Sequence, residues 1–470
     1  MDARPLSFIA KACAGQLSGG SPMTLAIRVC TDSREAQGGD VFFALPGERF
    51  DGHDFLRDVI KKGVIAVVVE KGRAAGDLRR CAVIEVENTR RALGQLGHEY
   101  RKEFDLPVVA VCGSNGKTTT KELVASVLKQ KVKTIWSDAS FNNEIGVPLT
   151  LLKLDGKSEA AVLEAGTNHP GELSPLIRMI APKYGILTSI AREHLEFFGD
   201  LAGVAQEEGA LAELLPADGK LFLNGDNEWA GRIAERARAE VVTVGLGPKN
   251  FWRAEVSRMD KQGTSFHVEG GAPGFAGDYK IGLLGRHQVV NALFAIAVGA
   301  ELGLTPAEVQ RGLAECLPAR MRMQLWEHHG VRVLDDAYNA NADSMLAALE
   351  TLKELPCKGR RVAVLGDMAE LGAQSEAAHA EVGRKTAELG IGQLFAVGKM
   401  APVMARGARE AGLTRVIEFS DVDSAAAAVK RFARSGDLLL LKASRATRLE
   451  RISEQLRAGE NVKRMECSII

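Results

Sequence analysis

Net charge, long apolar runs, aromatic residues and paired cysteines are all scarce in this chain, and each shortage removes a class of function. Lys and Arg number 60 and Asp and Glu number 60 among 470 residues. The two signs are interleaved, so no global field draws the chain to nucleic acid or to an anionic membrane, and a charged substrate has to be met locally. No segment reaches the roughly 18 consecutive apolar residues of a membrane span, and no long apolar stretch follows Met1-Asp2-Ala3-Arg4-Pro5. Neither membrane insertion nor export is expected, and the cytoplasm is the expected compartment. Aromatics make up 5% of the chain while 46% is hydrophobic; this Ala- and Gly-rich mix suits helices packed on sheets. Seven cysteines, scattered without metal-like spacing, read as reduced thiols and not as a disulfide framework. Cys112, inside an apolar run, is expected in the core.

What is present points to an α/β protein of three domains, since 470 residues exceed what one core organises. Residues 1–106 show short apolar runs at Ala26–Cys30, Val41–Leu45, Val64–Val69 and Ala82–Val86, separated by Gly-rich turns, which predicts a small α/β domain. Residues 107–317 open with the apolar run Val108–Cys112 and a helical pattern over Thr119–Lys131. Buried strands are expected at Ala161–Leu163, Tyr184–Ile190, Lys220–Asn224 and Val241–Val244, then a helix at Val289–Leu302. The spacing predicts a P-loop ATPase-like, mostly parallel sheet covered on both faces. Residues 318–470, after Pro318-Ala319-Arg320, alternate strands at Val331–Leu334, Arg361–Leu365, Leu394–Val397, Val416–Phe419 and Leu438–Leu441 with helices such as Ser344–Leu355 and Ser375–Leu389. That pattern predicts a Rossmann-like open α/β sheet.

The chemistry is concentrated after the second domain's first strand, in Gly113-Ser114-Asn115-Gly116-Lys117-Thr118. Glycines free backbone amides at a helix N-terminus, Lys117 reaches phosphate oxygens and Thr118 offers a hydroxyl to Mg²⁺. Val111 stands where the general phosphate-loop pattern has its first glycine, so this is a shortened form. The competing reading is an ordinary strand-to-helix turn; the strand–loop–helix context favours nucleotide. Glu164 ends an apolar run and His194 follows another, both placed for the C-terminal edge of the sheet, where open α/β folds bind ligands. Either residue taken alone reads as a surface or capping group. Beside the loop they become candidate metal ligands.

Several strings together resemble the Mur ligase family: CGSNGKTTTK at 112–121, FNNEIGVPLTLL at 141–152, EAGTNHPGEL at 164–173, HLEFFGD at 194–200, GRHQVVNALFAIAV at 285–298, DDAYNANADSM at 335–345 and VLGDMAELG at 364–372. The resemblance covers all three domains, and the string at 335–345 is similar to the branch that adds a D-alanyl-D-alanine dipeptide. It implies an ATP-dependent amide-bond ligase of peptidoglycan precursor synthesis acting through an acyl phosphate. The implied partners are small molecules only: UDP-N-acetylmuramoyl-tripeptide, D-alanyl-D-alanine and ATP, handled by a monomer.

By the same resemblance the first domain takes the UDP-sugar, with Ser33 and Arg34 in Thr31-Asp32-Ser33-Arg34; the second takes ATP and Mg²⁺, with two ions; the third takes the dipeptide. Gly113 to Thr119 would hold phosphates, Asn291 adenine, Asp336 ribose and Arg320 a nucleotide phosphate. Thr118 and Glu164 would hold one Mg²⁺, and His194 would serve a second. Asn142, Asn339, Asn341, Ser344, Lys442, Ser444 and Arg445 would meet substrate, with Ala443 standing where the family has glycine. The asparagine string reads equally well as a turn and helix cap, with Asp343 the rival cap. Another Mur-type acceptor, or a non-catalytic nucleotide-binding relative, remains an alternative.

One departure carries its own expectation. Family members bear a lysine carbamylated by CO₂ shortly after the HLE string; GVAQEEGAL at 203–211 places Glu208 there. A glutamate brings a permanent carboxylate, which would serve the second Mg²⁺ and make the ligase independent of CO₂. The alternative is that Glu207 and Glu208 merely decorate a helix face.

Overall fold

The computed structural model describes residues 1–74 and 81–457; residues 75–80, and the positions 458–470 that end the third expected domain, lie outside the described residues. Three main sheets organise the chain, joined by a two-stranded pairing of Arg4–Pro5 with Leu25–Ala26. The first has the order Gln16–Ser18, Ala82–Val86, Ala66–Glu70, Asp40–Phe43, Arg28–Cys30, with only the Gln16–Ser18 edge antiparallel. Its helix Thr89–Arg101 leans on the second sheet's layers. Tyr100 Oη donates to Leu154 O at 2.7 Å, and Arg101 Nε to Ile180 O at 3.1 Å.

The central sheet shows why a fully apolar strand reads as it does. All five residues of Val108–Cys112 are buried. Val109 and Val111 face the helices Lys117–Leu128 and Arg286–Glu301, while Val108, Ala110 and Cys112 face Thr89–Arg101 and Leu173–Ile180. Successive side chains point to opposite faces, so a parallel strand covered on both sides has no polar alternation to show. The order runs Thr134–Trp136, Ala160–Glu164, Val108–Cys112, Tyr184–Leu187, Lys220–Asn224, Glu240–Gly245 and Trp252–Asp260, all parallel. Gly263–Val268 and Gly277–Ile281 then extend it as an antiparallel meander. Sequence reading did not find this last part. Its strands are half-exposed, with residues such as Arg253, Glu255 and His267 between the buried Trp252, Ala254 and Phe266, and so they form no apolar run.

The third sheet is ordered Gln324–His328, Val331–Asp335, Leu438–Lys442, Arg361–Gly366, Gln393–Val397, Val416–Phe419, parallel except for the first hairpin. Val362 and Val364 pack toward Val422–Phe432 and Glu450–Arg457; Ala363 and Leu365 pack toward Ala342–Glu354 and Ser375–Glu388. The predicted α/β class and its largely parallel sheets are what the fold shows. Four predicted strands change their limits by more than one residue: Ala26–Cys30 divides into Leu25–Ala26 and Arg28–Cys30, Val41–Leu45 becomes Asp40–Phe43, Val64–Val69 becomes Ala66–Glu70, and Tyr184–Ile190 ends at Leu187. Residues 188–190 leave the sheet to run beside the phosphate loop. No helix among the described residues is long and apolar enough to cross a membrane.

Candidate active site

The loop after Val108–Cys112 turns on two glycines held in the left-handed region, Gly113 at φ 112° and Gly116 at φ 87°. Gly116 caps the helix Lys117–Leu128. A Cβ at Gly113 would stand 2.4 Å from Thr188 Oγ1 and 2.9 Å from Ser189 N, so glycine is required by φ and by space. Gly113→Ala is expected to lower unfolding free energy by about 1–3 kcal/mol in urea titration and to weaken ADP binding by calorimetry. Unchanged values of both would refute this account of the loop.

The segment after Tyr184–Leu187 cradles the loop from one side. Ser114 N donates to Ser189 O at 2.8 Å, Asn115 N to Ser189 Oγ at 3.1 Å, and Ala191 N to Ser114 Oγ at 2.9 Å. Lys117 Nζ donates to the loop carbonyls Gly113 O at 2.5 Å and Ser114 O at 3.3 Å, and lies 3.8 Å from Glu193. Burial alone would lower its pKa. The charges of Glu193, Glu208 and Glu164 more than offset that and hold the ammonium protonated.

Glu164, 1% exposed, ends its strand with Oε1 accepting from Asn142 Nδ2 at 3.0 Å, while the buried Oε2 has no hydrogen-bond partner. Lys121 Nζ lies 3.9 Å from Oε2, itself fully buried and donating to Ser137 O at 2.8 Å and Ala139 O at 2.6 Å. Sequence reading missed Lys121 because a lysine inside a helical pattern looks like a solvated one.

A cleft of about 1060 Å³ opens between the second and third sheets, the size range of sites that enclose whole small molecules. Ser114 to Thr119, Asn142, Glu164, His194 and Asn291 line it from one side, and Asp336, Asn339, Asn341, Ser344, Lys442, Ser444 and Arg445 from the other. Asn291 is held by Thr120 Oγ1, donating at 3.2 Å, and gives its own amide hydrogen to Gln288 Oε1 at 2.9 Å. Asp336 Oδ2 accepts from the buried Lys442 Nζ at 2.5 Å, which also donates to Asn339 O at 3.1 Å. Ser444 Oγ donates to Asp367 O at 2.7 Å, and Arg445 pairs with Glu450 at 3.0 Å. The methyl of the replaced glycine, Ala443, is buried opposite Gly366, where a second Cβ would approach it to 2.7 Å.

Other expectations come out differently. The helix Ala342–Glu354 is capped by Asn341 and not by Asp343: Asn341 Oδ1 accepts from Ser344 N at 2.9 Å, and Ser344 Oγ accepts from Asn341 N at 3.0 Å. Asn341 also exchanges amide hydrogen bonds with Asn115 in the phosphate loop, at 2.9 and 3.3 Å. Arg320 is exposed and absent from the cleft wall; Arg322 lines it instead, its guanidinium 4.2 Å from the Tyr338 ring. Tyr338 in turn shares a 2.7 Å hydrogen bond with Ser140. Ser33 and Arg34 lie on the first sheet's domain, away from this cleft, with Arg34 paired to Asp32 at 2.5 Å.

The four residues expected to ligate metal are not one cluster. Thr118 and Glu164 share the cleft wall, while His194, in the left-handed region at φ 49°, turns Nδ1 to Glu370. Glu208, 1% exposed, stands behind the loop: Oε2 accepts from Gly113 N at 2.7 Å, and Oε1 has no partner. Burial pushes its carboxyl up to about 8 against the pull of Lys117. Among the described residues no three His, Cys, Asp or Glu side chains converge to hold an ion. Glu207 is the helix-face residue of the pair, accepting from Gly171 N and Leu173 N, each at 2.8 Å.

Three family models match this chain: the Mur ligase family catalytic domain at residues 28–101, the Mur ligase middle domain at 111–299, and the Mur ligase glutamate ligase domain at 321–445. The UDP-N-acetylmuramoyl-tripeptide--D-alanyl-D-alanine ligase of Bacillus subtilis is 35% identical over 91% of this chain and 92% of its own. The enzyme of that name in Escherichia coli is 38% identical over 79% and 81%. A crystal structure of MurF from Acinetobacter baumannii superposes with TM-score 0.88 at 29% identity, covering 97% of this chain and 99% of that one. MurF from Thermotoga maritima, in complex with ADP, superposes with TM-score 0.78 at 27% identity over 91% and 96%. With three of its family models matched in order along residues 28–445 and a relative 35% identical over 91% of its length, this chain belongs to the Mur ligase family.

Proposed function

We propose that this chain is an ATP-dependent ligase that joins D-alanyl-D-alanine to the terminal carboxylate of a UDP-N-acetylmuramoyl-tripeptide in peptidoglycan precursor synthesis. The observation that carries the reading is the cleft itself. Lys117, Glu164 and His194 on one wall face Asp336, Asn339 and Lys442 on the other, so a phosphate-binding loop and a polar acceptor surface share one enclosed space. The relatives named above carry this activity in their names.

A carboxylate is a poor acyl donor because oxide leaves badly; phosphorylation by ATP replaces it with phosphate, and the incoming amine then expels that phosphate as the amide forms. The first step brings two anions together, which demands fixed positive charge at the transferred phosphoryl group. Lys117 supplies it by leaving the Gly113 and Ser114 carbonyls for phosphate oxygens, while the loop's backbone amides hold the remaining charge. Closure of the cleft excludes water that would hydrolyse the acyl phosphate.

Magnesium fits the residues present: the buried Oε2 of Glu164, which has no hydrogen-bond partner, lies on the same wall as the Thr118 hydroxyl, two hard oxygen donors. Bound there, the ion would neutralise nucleotide phosphate charge. A second ion would draw on His194 and, from behind the loop, on Glu208. In this reading residues 1–106 take the UDP-sugar, with Ser33 and Arg34 at the uridine nucleotide, 107–317 take ATP and 318–470 the dipeptide.

Phosphate release measured with ATP and the UDP-tripeptide, adding D-alanyl-D-alanine, L-lysine or diaminopimelate in separate reactions, tests the assignment. Turnover is expected with the dipeptide alone. Turnover with a single amino acid would reassign the acceptor, and ATP turnover with none of them would remove ligase activity from the reading.

A further inference from the structure

Arg192 follows the segment that cradles the phosphate loop, and its side chain leaves the second domain altogether. Its backbone N–H donates to Asp343 Oδ2 at 2.8 Å, and its Nε and Nη2 donate to Asp343 Oδ1 at 3.0 and 2.6 Å. Nη1 and Nη2 donate to Glu381 Oε2 and Oε1 at 2.6 and 3.5 Å. One guanidinium therefore ties two helices of the third domain, Ala342–Glu354 and Ser375–Glu388, to a single point of the second. Asp343 sits in the first turn of the helix whose cap, Asn341, pairs with Asn115 of the phosphate loop. A displacement at Arg192 is thus passed to the loop through three residues.

The facing surfaces are complementary in charge. Asp343 and Glu381 approach from the third domain and Arg192 from the second; beside them Glu370 hydrogen-bonds His194 Nδ1, and its backbone O accepts from Glu196 N at 3.0 Å. The Arg192 side chain is 23% exposed and those of Asp343 and Glu381 are 37% and 39% exposed, so the pairs stand open to water on the carboxylate side and respond to salt. A planar fork that meets two carboxylates at once is a geometry that lysine cannot copy.

We propose that Arg192 is the positioning residue that holds the third domain closed on the phosphate loop, and that its engagement sets how well the acceptor amine is presented to the acyl phosphate. The inference rests on the reading above that the third domain brings the acceptor. Arg192 lines the cleft, and the role proposed for it runs through Asp343 and Glu381. It acts by raising the fraction of molecules in the closed, acceptor-competent arrangement, and losing it lowers apparent acceptor affinity by that fraction.

The experiment uses the full chain and its Arg192→Ala, Arg192→Lys and Glu381→Gln variants. X-ray scattering in the presence of ADP reports closure, hydrogen exchange reports the 188–194 segment and the start of Ala342–Glu354, and kinetics report KM for D-alanyl-D-alanine. Arg192→Ala is expected to enlarge the radius of gyration, to speed exchange in both segments and to raise the acceptor KM roughly tenfold. Arg192→Lys should fall between, and acceptor KM is expected to rise with salt in the wild type and to rise less in Arg192→Ala. An Arg192→Ala protein with the wild-type melting midpoint, scattering, exchange and KM would overturn the proposal. If Arg192→Ala fails to fold, Glu381→Gln decides in its place, since it removes one anchor from outside the cleft wall. Failure of the dipeptide assignment shows separately, as absent acceptor turnover in the wild type while closure still depends on Arg192.

Discussion

Lys117→Met is expected to lower kcat by about 10²- to 10³-fold, the usual consequence of losing one preorganised group at developing charge. The melting midpoint should move by only a few degrees. The surroundings of this amine set the size of the effect. Glu193, Glu208 and Glu164 all raise its pKa against burial, so the ammonium is held charged in a site where water screens little. Its hydrogen bonds in this structure go to carbonyls of its own loop, contacts that ATP phosphates would replace. Removing the charge leaves the loop's course intact, because that course is set by Gly113, Gly116 and the Ser189 contacts. Rapid-quench measurement of ATP cleavage with UDP-tripeptide separates the two effects. Near-wild-type cleavage would remove Lys117 from the phosphoryl-transfer step.

The second large effect is expected at Glu208. Glu208→Ala should raise the magnesium concentration for half-maximal turnover by about 10- to 100-fold, as losses around a metal site do. Wild-type turnover should be the same in CO₂-depleted and bicarbonate-supplemented buffer. Glu208→Ala with wild-type magnesium dependence would sink the idea that its carboxylate serves the second ion. Its titration gives an independent check. Burial raises the folded-state carboxyl to about 8, against an ordinary value of 4.5, so between those limits the folded state binds more protons than the unfolded one. The contribution to stability is complete below the unfolded value and is lost as pH rises through the folded one, with a slope of at most about 1.4 kcal/mol per pH unit for one proton. Glu208→Gln should flatten that slope in urea unfolding of the nucleotide-free protein; an unchanged slope would assign the pH dependence to other groups.

Particular residues show how far the sequence could be read. Val108–Cys112 was recognisable because a strand buried on both faces has to be apolar throughout, and Lys220–Asn224, with its three central residues buried, was placed at its observed limits for the same reason. The meander Trp252–Ile281 was not found, since its polar residues alternate with buried ones at a sheet edge. The places of Gly113 at a strand-to-helix turn, Lys117 at a helix start and Glu164 at a strand end were legible because these are local features. Arg322 and Lys121 were not, because nothing in their neighbours distinguishes a residue that turns inward from one that stays in water.

By itself the sequence determined the α/β class, the glycine turn between strand and helix, and the family, for each depends on short-range pattern: apolar runs, glycines at a helix start, and strings of residues close together in the chain. Only the tertiary structure decided what those residues do to one another. Asn341 became a helix cap bonded to Asn115, Asp336 became the partner of Lys442, Glu208 moved behind the loop to Gly113, and Arg192 became the bridge to Asp343 and Glu381. These pairings join residues about 95 to 230 positions apart in the chain, with separations of 95 for Gly113–Glu208 and 226 for Asn115–Asn341. A hydrogen bond or ion pair between such residues is set by how sheets and domains pack, and local sequence carries no record of that packing.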